Sequence, residues 1–197
     1  MAQHTIKGIL SFPAVFAPEK ATPTSDPRFG LNLLVHESDP QHAAMQADIK
    51  EMLANAYPAG TPPGTEVSYS PCENVKSYFG KPQYAGWWVL RAYSRQDSPP
   101  IVCDMRTQPV MDRGKIFPGA EAYVQFNFYA YSGGKGGIAA GLNGVMSDGV
   151  TGSIGRLDNK QSASQMFAGV VPAAPASTAP SAPAAAATPP PVPLAFN

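Results

Sequence analysis

The chain has 197 residues, 44% of them hydrophobic, and a formal net charge of zero, so its length suits one domain with an appended segment. Neutrality excludes the general argument that a basic protein binds nucleic acid, and any such role has to come from where the charges stand. Cys72 and Cys103 lie far apart, and with the scattered His4, His36 and His42 they fit no zinc-ligand spacing, so no metal or other cofactor is expected.

No apolar run is long enough to span a bilayer, and the N-terminus lacks the apolar core of a signal peptide, which points to a reducing, cytosolic setting with free thiols. From Glu19 to Glu73 acids outnumber bases, and from Lys76 to Lys160 the balance reverses. One domain with a polarised surface accommodates both halves.

In chain order, Thr5 to Phe12 alternates as a first strand, with Ile6, Gly8, Leu10 and Phe12 inward and Lys7, Ile9 and Ser11 outward, and Pro13 ends it. Pro18, Pro23 and Pro27 make Ala14 to Arg28 a loop. Phe29 to His36 is a second strand whose inward set is Phe29, Leu31, Leu33 and Val35. A helix follows, with Asp39 as N-cap, Pro40 in its first turn and Met45, Ile49, Met52, Leu53 and Ala56 on one stripe, and Tyr57-Pro58 stops it.

Ala59 to Gln83 reads as a long insertion rich in Pro, Gly and Ser. Lys76, Tyr78, Phe79, Lys81 and Tyr84 alternate base and ring there. Either these rings meet a partner, or they tuck back as a small satellite cluster.

The next strand, Ala85 to Arg95, is the one around which the chain is arranged by its chemistry. Trp88, Leu90 and Ala92 share a face suited to a core, whereas Trp87, Val89, Arg91, Tyr93 and Arg95 interleave rings with guanidinium groups. That second set is the chemistry that grips unpaired nucleic acid by stacking and phosphate contact, although aromatics favour strands and Arg stems cover apolar surface in any case. A one-residue register slip would exchange the roles of Trp87 and Trp88.

After a turn at Asp97 to Pro100, Ile101 to Asp104 is expected as a short strand returning alongside, and the following loop carries Arg106, Arg113 and Lys115. Ala120 to Tyr131 is the longest alternation. Ala122, Val124, Phe126 and Phe128 face in, and Glu121, Tyr123, Gln125, Asn127, Tyr129 and Tyr131 face out. It repeats the outward theme of the 85–95 strand and is expected beside it. The turn Ser132 to Gly137 holds Lys135 but lacks the spacing of a phosphate-binding loop. Ile138 to Met146, rich in small residues, closes the set. The chain then reads as loop, with a helical turn near Ser162 to Phe167. Residues 169–197, almost entirely Pro, Ala, Ser and Thr after Val170, are expected to form a disordered tail.

The fold expected is all-β with one helix, a five-stranded Greek-key barrel of the OB type with long loop insertions, over residues 1–168. The segments Gly8 to Phe16, Gly86 to Leu90 followed by Pro100-Ile101-Val102, and Gly137 to Leu142 resemble the OB-fold single-stranded DNA-binding proteins of tailed bacteriophages. The resemblance implies a protein without enzymatic activity that coats single-stranded DNA, regardless of sequence, during replication and recombination in the bacterial host cytoplasm. It also implies replication or recombination proteins as partners of the tail, although the tail here lacks the acidic residues such proteins often carry. The oligomeric state stays open.

On that reading Lys7, Lys76, Lys81, Arg91, Arg95, Arg113 and Lys115 meet phosphates. Trp87, Tyr93, Tyr123, Tyr129 and Tyr131 offer stacking platforms, with Tyr78, Phe79 and Tyr84 adding to the site from the loop. The alternative is a virion or adaptor protein using the aromatic face as a protein interface. Asp104 and Asp112 near Arg106 read as turn acids, since nothing beside them supplies a nucleophile and base.

Overall fold

The computed structural model describes residues 3–158. The boundary expected at residue 168, the helical turn over 162–167 and the tail from 169 lie outside them.

Strand β1 spans Gln3–Glu19 and does not stop at Pro13. Ser11 pairs with Asn32 but Ala14 pairs with Gly30, so β1 holds one extra residue at this point. This β-bulge absorbs the N–H that proline lacks, and Phe12 takes up a left-handed φ of 50° within it. The alternation flips as a result. Leu10 is buried before the bulge and Val15 after it, while Phe12, expected inside, is 62% exposed. Part of the expected 14–28 loop is therefore strand.

Strand β2 (Arg28–His36) buries Phe29, Leu31, Leu33 and Val35 on its inner face. Helix α1 (Pro40–Ala56) starts where the Asp39 carboxylate accepts the Gln41 N–H at 2.9 Å. Met45 and Ile49 are buried in the core, with Met52 and Leu53 packed partly against it. The insertion contributes two short strands, β3 (Glu66–Val67) and β4 (Tyr69–Pro71). β5 (Trp87–Arg95), β6 (Ile101–Cys103), β7 (Glu121–Tyr131) and β8 (Gly137–Met146) complete the set.

Pairing closes a five-stranded barrel in the order β1-β2-β5-β8-β7 and back to β1. All its contacts are antiparallel except β5 with β8, the arrangement of an OB fold. Leu10, Leu31, Leu33, Leu90, Ala92, Val124, Phe126, Phe128, Ile138 and Ala140 fill its interior. Two neighbour relations differ from the sequence expectation. β5 and β7 do not pair, because β8 lies between them, and β6 pairs in parallel with β8 rather than returning along β5.

One edge of β8 meets three segments in succession. β3 lies against Gly137 and Ile138, β5 against Ala140 and Gly141, and β6 against Gly144 to Met146. Gly137 is required at the first of these, where a Cβ would collide with the Glu66 backbone and φ is +156°. Among the described residues no helix is long and apolar enough to cross a membrane.

Candidate nucleic-acid interface

The outer surface of the barrel divides into a covered half and an open half. Ile9, Leu34 and Val89 point outward yet are apolar, and register aligns them in one row across β1, β2 and β5. Such a row needs cover. Cys72, Tyr78 and Tyr84 from the insertion supply it, with Val75, Trp87, Ile154 and Leu157 packed at its margins.

This cover corrects two expectations. Tyr78 is 2% exposed, its hydroxyl accepting from Asn32 Nδ2 at 2.8 Å and donating to Ser11 Oγ at 3.0 Å. Burial pushes its pKa up to about 12. Tyr84 stands edge-on to it with ring centres 5.0 Å apart and is also buried. Both rings hold the outer layer together, and neither offers a face to a base.

Trp87 is half-buried, edge-on to His36 at 5.2 Å, and opens on a cleft that also carries Glu37 and Glu73. Those carboxylates repel a phosphate chain. Trp88 turns to the other side and packs on Tyr69 and His42, with ring centres 5.2 and 4.7 Å away. Lys76, Phe79 and Lys81 remain exposed on the covering loop, with the Lys81 ammonium donating to the Ser77 carbonyl at 2.8 Å.

The open half begins where the cover ends. Register sets Ala14, Gly30, Tyr93, Gly141 and Asn127 side by side on β1, β2, β5, β8 and β7. Gly30 matters here because the Tyr93 ring lies where its Cβ would be. The Arg28 guanidinium stands 3.9 Å from the centre of the same ring, a cation–π contact that leaves the charge at the surface. Arg95 pairs with Arg28 across the strands, and both are exposed.

Arg91 lies two residues from Tyr93 on the same face, but its Nη2 donates to the Val67 carbonyl at 2.8 Å and its Nε is buried. It therefore ties β5 to the insertion, and its charge reaches the surface from an anchored position. On the far side of Gly141 the open face continues over Asn127 to Tyr129, which is opposite Ala139, and Tyr131, opposite Gly137. The Tyr131 hydroxyl donates to Glu66 Oε2 at 3.5 Å. The small residues of β8 thus form a floor between the Arg91–Tyr93–Arg95 ridge and the β7 ridge.

Other expected contributors stand apart. Lys7 is paired with Glu121 at 2.8 Å, and this carboxylate raises its pKa. Tyr123 lies beside Lys7, at the opposite end of β7 from Tyr129. Arg113 and Lys115 sit on a single 3-10 turn (Arg113–Lys115), with Arg113 5.8 Å from the Phe16 ring and exposed, and Lys115 half-buried. Asp104 accepts the N–H groups of Arg106 and Gln108, and Asp112 that of Gly114, so both carboxylates close turns.

Sequence reasoning passed over Arg28. Arg28, Gly30 and Asn32 form the outward set of β2, and the same alternation that gave its inward set contained them.

A closed barrel with one cationic, aromatic outer face sets the context for likeness to known proteins. The chain matches the family model described as Enterobacter phage Enc34, ssDNA-binding protein, over residues 4–169. It belongs to that family. Solved structures share its fold. One is the single-stranded DNA-binding protein from bacteriophage Enc34 in complex with ssDNA, with a TM-score of 0.60 and 17% identity, covering 74% of this chain and 85% of that one. Another is gp2.5, a single-stranded DNA binding protein encoded by bacteriophage T7, with a TM-score of 0.59 and 14% identity, covering 82% of this chain and 98% of that one. No curated protein sequence matches significantly. At such identities the solved structures show a shared fold, whereas the family membership rests on the match to the family model.

Proposed function

We propose that this protein binds single-stranded DNA without sequence preference and coats it during phage DNA replication or recombination in the host cytoplasm. The observation that carries the reading is the open face around Tyr93, where a ring stacked by Arg28 lies between Arg91 and Arg95 and continues over a floor of small residues to Tyr129. Ring faces accept any base and guanidinium groups accept any phosphate, so the arrangement needs no base-edge reading. Membership of a family named for ssDNA binding supports the same substrate. The expected tail contacts with replication or recombination proteins fall outside the described residues.

The test is a fluorescence titration of the full chain with oligo-dT at rising salt. With Arg28, Arg95 and one further cation on phosphates, the slope of log affinity against log salt is about −2, and affinity falls about 20-fold between about 50 and 200 mM. Absence of binding at low salt would overturn the proposal. Binding insensitive to salt would remove Arg28 and Arg95 from phosphate contact.

A further inference from the structure

Phe12 meets the covering layer at the Tyr78 ring, with centres 6.3 Å apart and planes at 58°, yet most of its surface stays open. A large apolar ring that is 62% exposed, on a backbone held at φ +50°, is unfavourable twice over. The bulge could be made by glycine or asparagine without either cost.

Its surroundings give it a use. Phe12 lines a cleft of about 400 Å³ together with Tyr93, Arg28, Lys20, Asn32, Ser77 and Glu19. Gly30 sits between Ala14 and Tyr93 in register and lets the Tyr93 ring lie flat against the strand, in the space that a Cβ there would need. On its other side Phe12 borders a second cleft of about 490 Å³ that holds Arg113, Arg156 and again Glu19. Arg156 is neutralised there by Asp158 at 2.7 Å, whereas Arg113 is exposed. The ring is therefore a ridge between two hollows, each with a cation on its outer wall.

We infer that Phe12 is a base-stacking residue. An unpaired base enters the cleft that Phe12 and Tyr93 both line, and its backbone passes the Arg28 and Lys20 side and crosses the ridge toward Arg113. Glu19 lines both clefts and repels phosphates, so the base alone enters and the backbone follows the cations at the rim. This rests on the proposed binding of single-stranded DNA and assigns a part of the interface on β1 that the β5 strand chemistry does not contain.

The experiment compares wild type, Phe12→Gly and Phe12→Asn in titrations with oligo-dT, alongside thermal unfolding. Glycine and asparagine both tolerate the left-handed backbone, and that relief of strain opposes the loss of the ring contact with Tyr78, so stability stays near that of wild type. The expected result is a loss of affinity on the order of 5- to 150-fold, the range of one base–aromatic stack, with an unchanged salt slope and both variants fully folded at the titration temperature. Wild-type affinity in both variants would overturn the inference while leaving the proposed function standing. Failure of the wild type itself to bind would overturn both. Should one variant unfold, the other carries the comparison.

Discussion

Replacing Tyr78 by phenylalanine removes a single oxygen and tests the division of the barrel surface directly. That oxygen accepts from Asn32 Nδ2 at 2.8 Å and donates to Ser11 Oγ at 3.0 Å, linking β1, β2 and the covering loop. Each bond contributes about 1 kcal/mol net, and Ser11, which is buried, is left without this partner. Asn32 is only half-buried and recovers water. The sum is about 2 kcal/mol, which lowers the unfolding midpoint by about 4 to 8 °C for a barrel of this size. Thermal unfolding followed by circular dichroism measures it, and oligo-dT affinity measured well below the transition should be unchanged. A variant as stable as wild type would refute the placement of Tyr78 in a second apolar layer, because an exposed ring loses nothing with its hydroxyl.

The other expectations follow from the same geometry. Arg28→Ala and Arg95→Ala should each reduce the magnitude of the salt slope by about 0.7 if each meets one phosphate, and a slope equal to wild type in both would remove them from the interface. Trp88→Ala should cost about 3 kcal/mol in denaturant unfolding, because the ring packs on the core with Tyr69 and His42, while leaving low-salt affinity intact. Burial pushes the Cys72 thiol and the Tyr78 phenol each up to about 12. The unfolded chain ionises them first, near pH ~8.5 and ~10, so it binds fewer protons there than the folded chain and stability falls as pH rises from about 8.5 to 12. The urea midpoint should drop between about pH 8 and pH 10, less so in Cys72→Ala, and a flat profile would contradict the burial of these groups.

Much of the barrel was legible because alternation is a strong signal where one face is buried. The inner sets of β2, β5 and β7 were readable residue by residue, and Asp39-Pro40 announced the helix that the capping carboxylate starts. What alternation does not encode is a change of phase. The bulge at Phe12 flips β1 after Leu10, and only pairing with β2 reveals it. Nor does a strand's own pattern name its neighbour, so the likeness of β5 and β7 suggested adjacency where β8 in fact intervenes. The outer rings were ambiguous for a different reason. Tyr78 and Tyr93 belong to similar base-and-ring runs, yet one is sealed against the row of Ile9, Leu34 and Val89 and the other lies against Gly30 beside Arg28.

The three-segment edge of β8 has a consequence for how the protein is made. Synthesis runs from the N-terminus at roughly 5 to 20 residues per second, and β3, β5, β6 and β7 all leave the ribosome before the strand that joins them. Until residue 146 has emerged the barrel cannot close, and until Ile154 and Leu157 follow, the margin of the outer apolar layer stays bare. The nascent chain thus carries several unpaired edges at once, each a template for pairing with a neighbouring copy. A ribosome stalled upstream of β8 releases an aggregation-prone fragment rather than a smaller working domain.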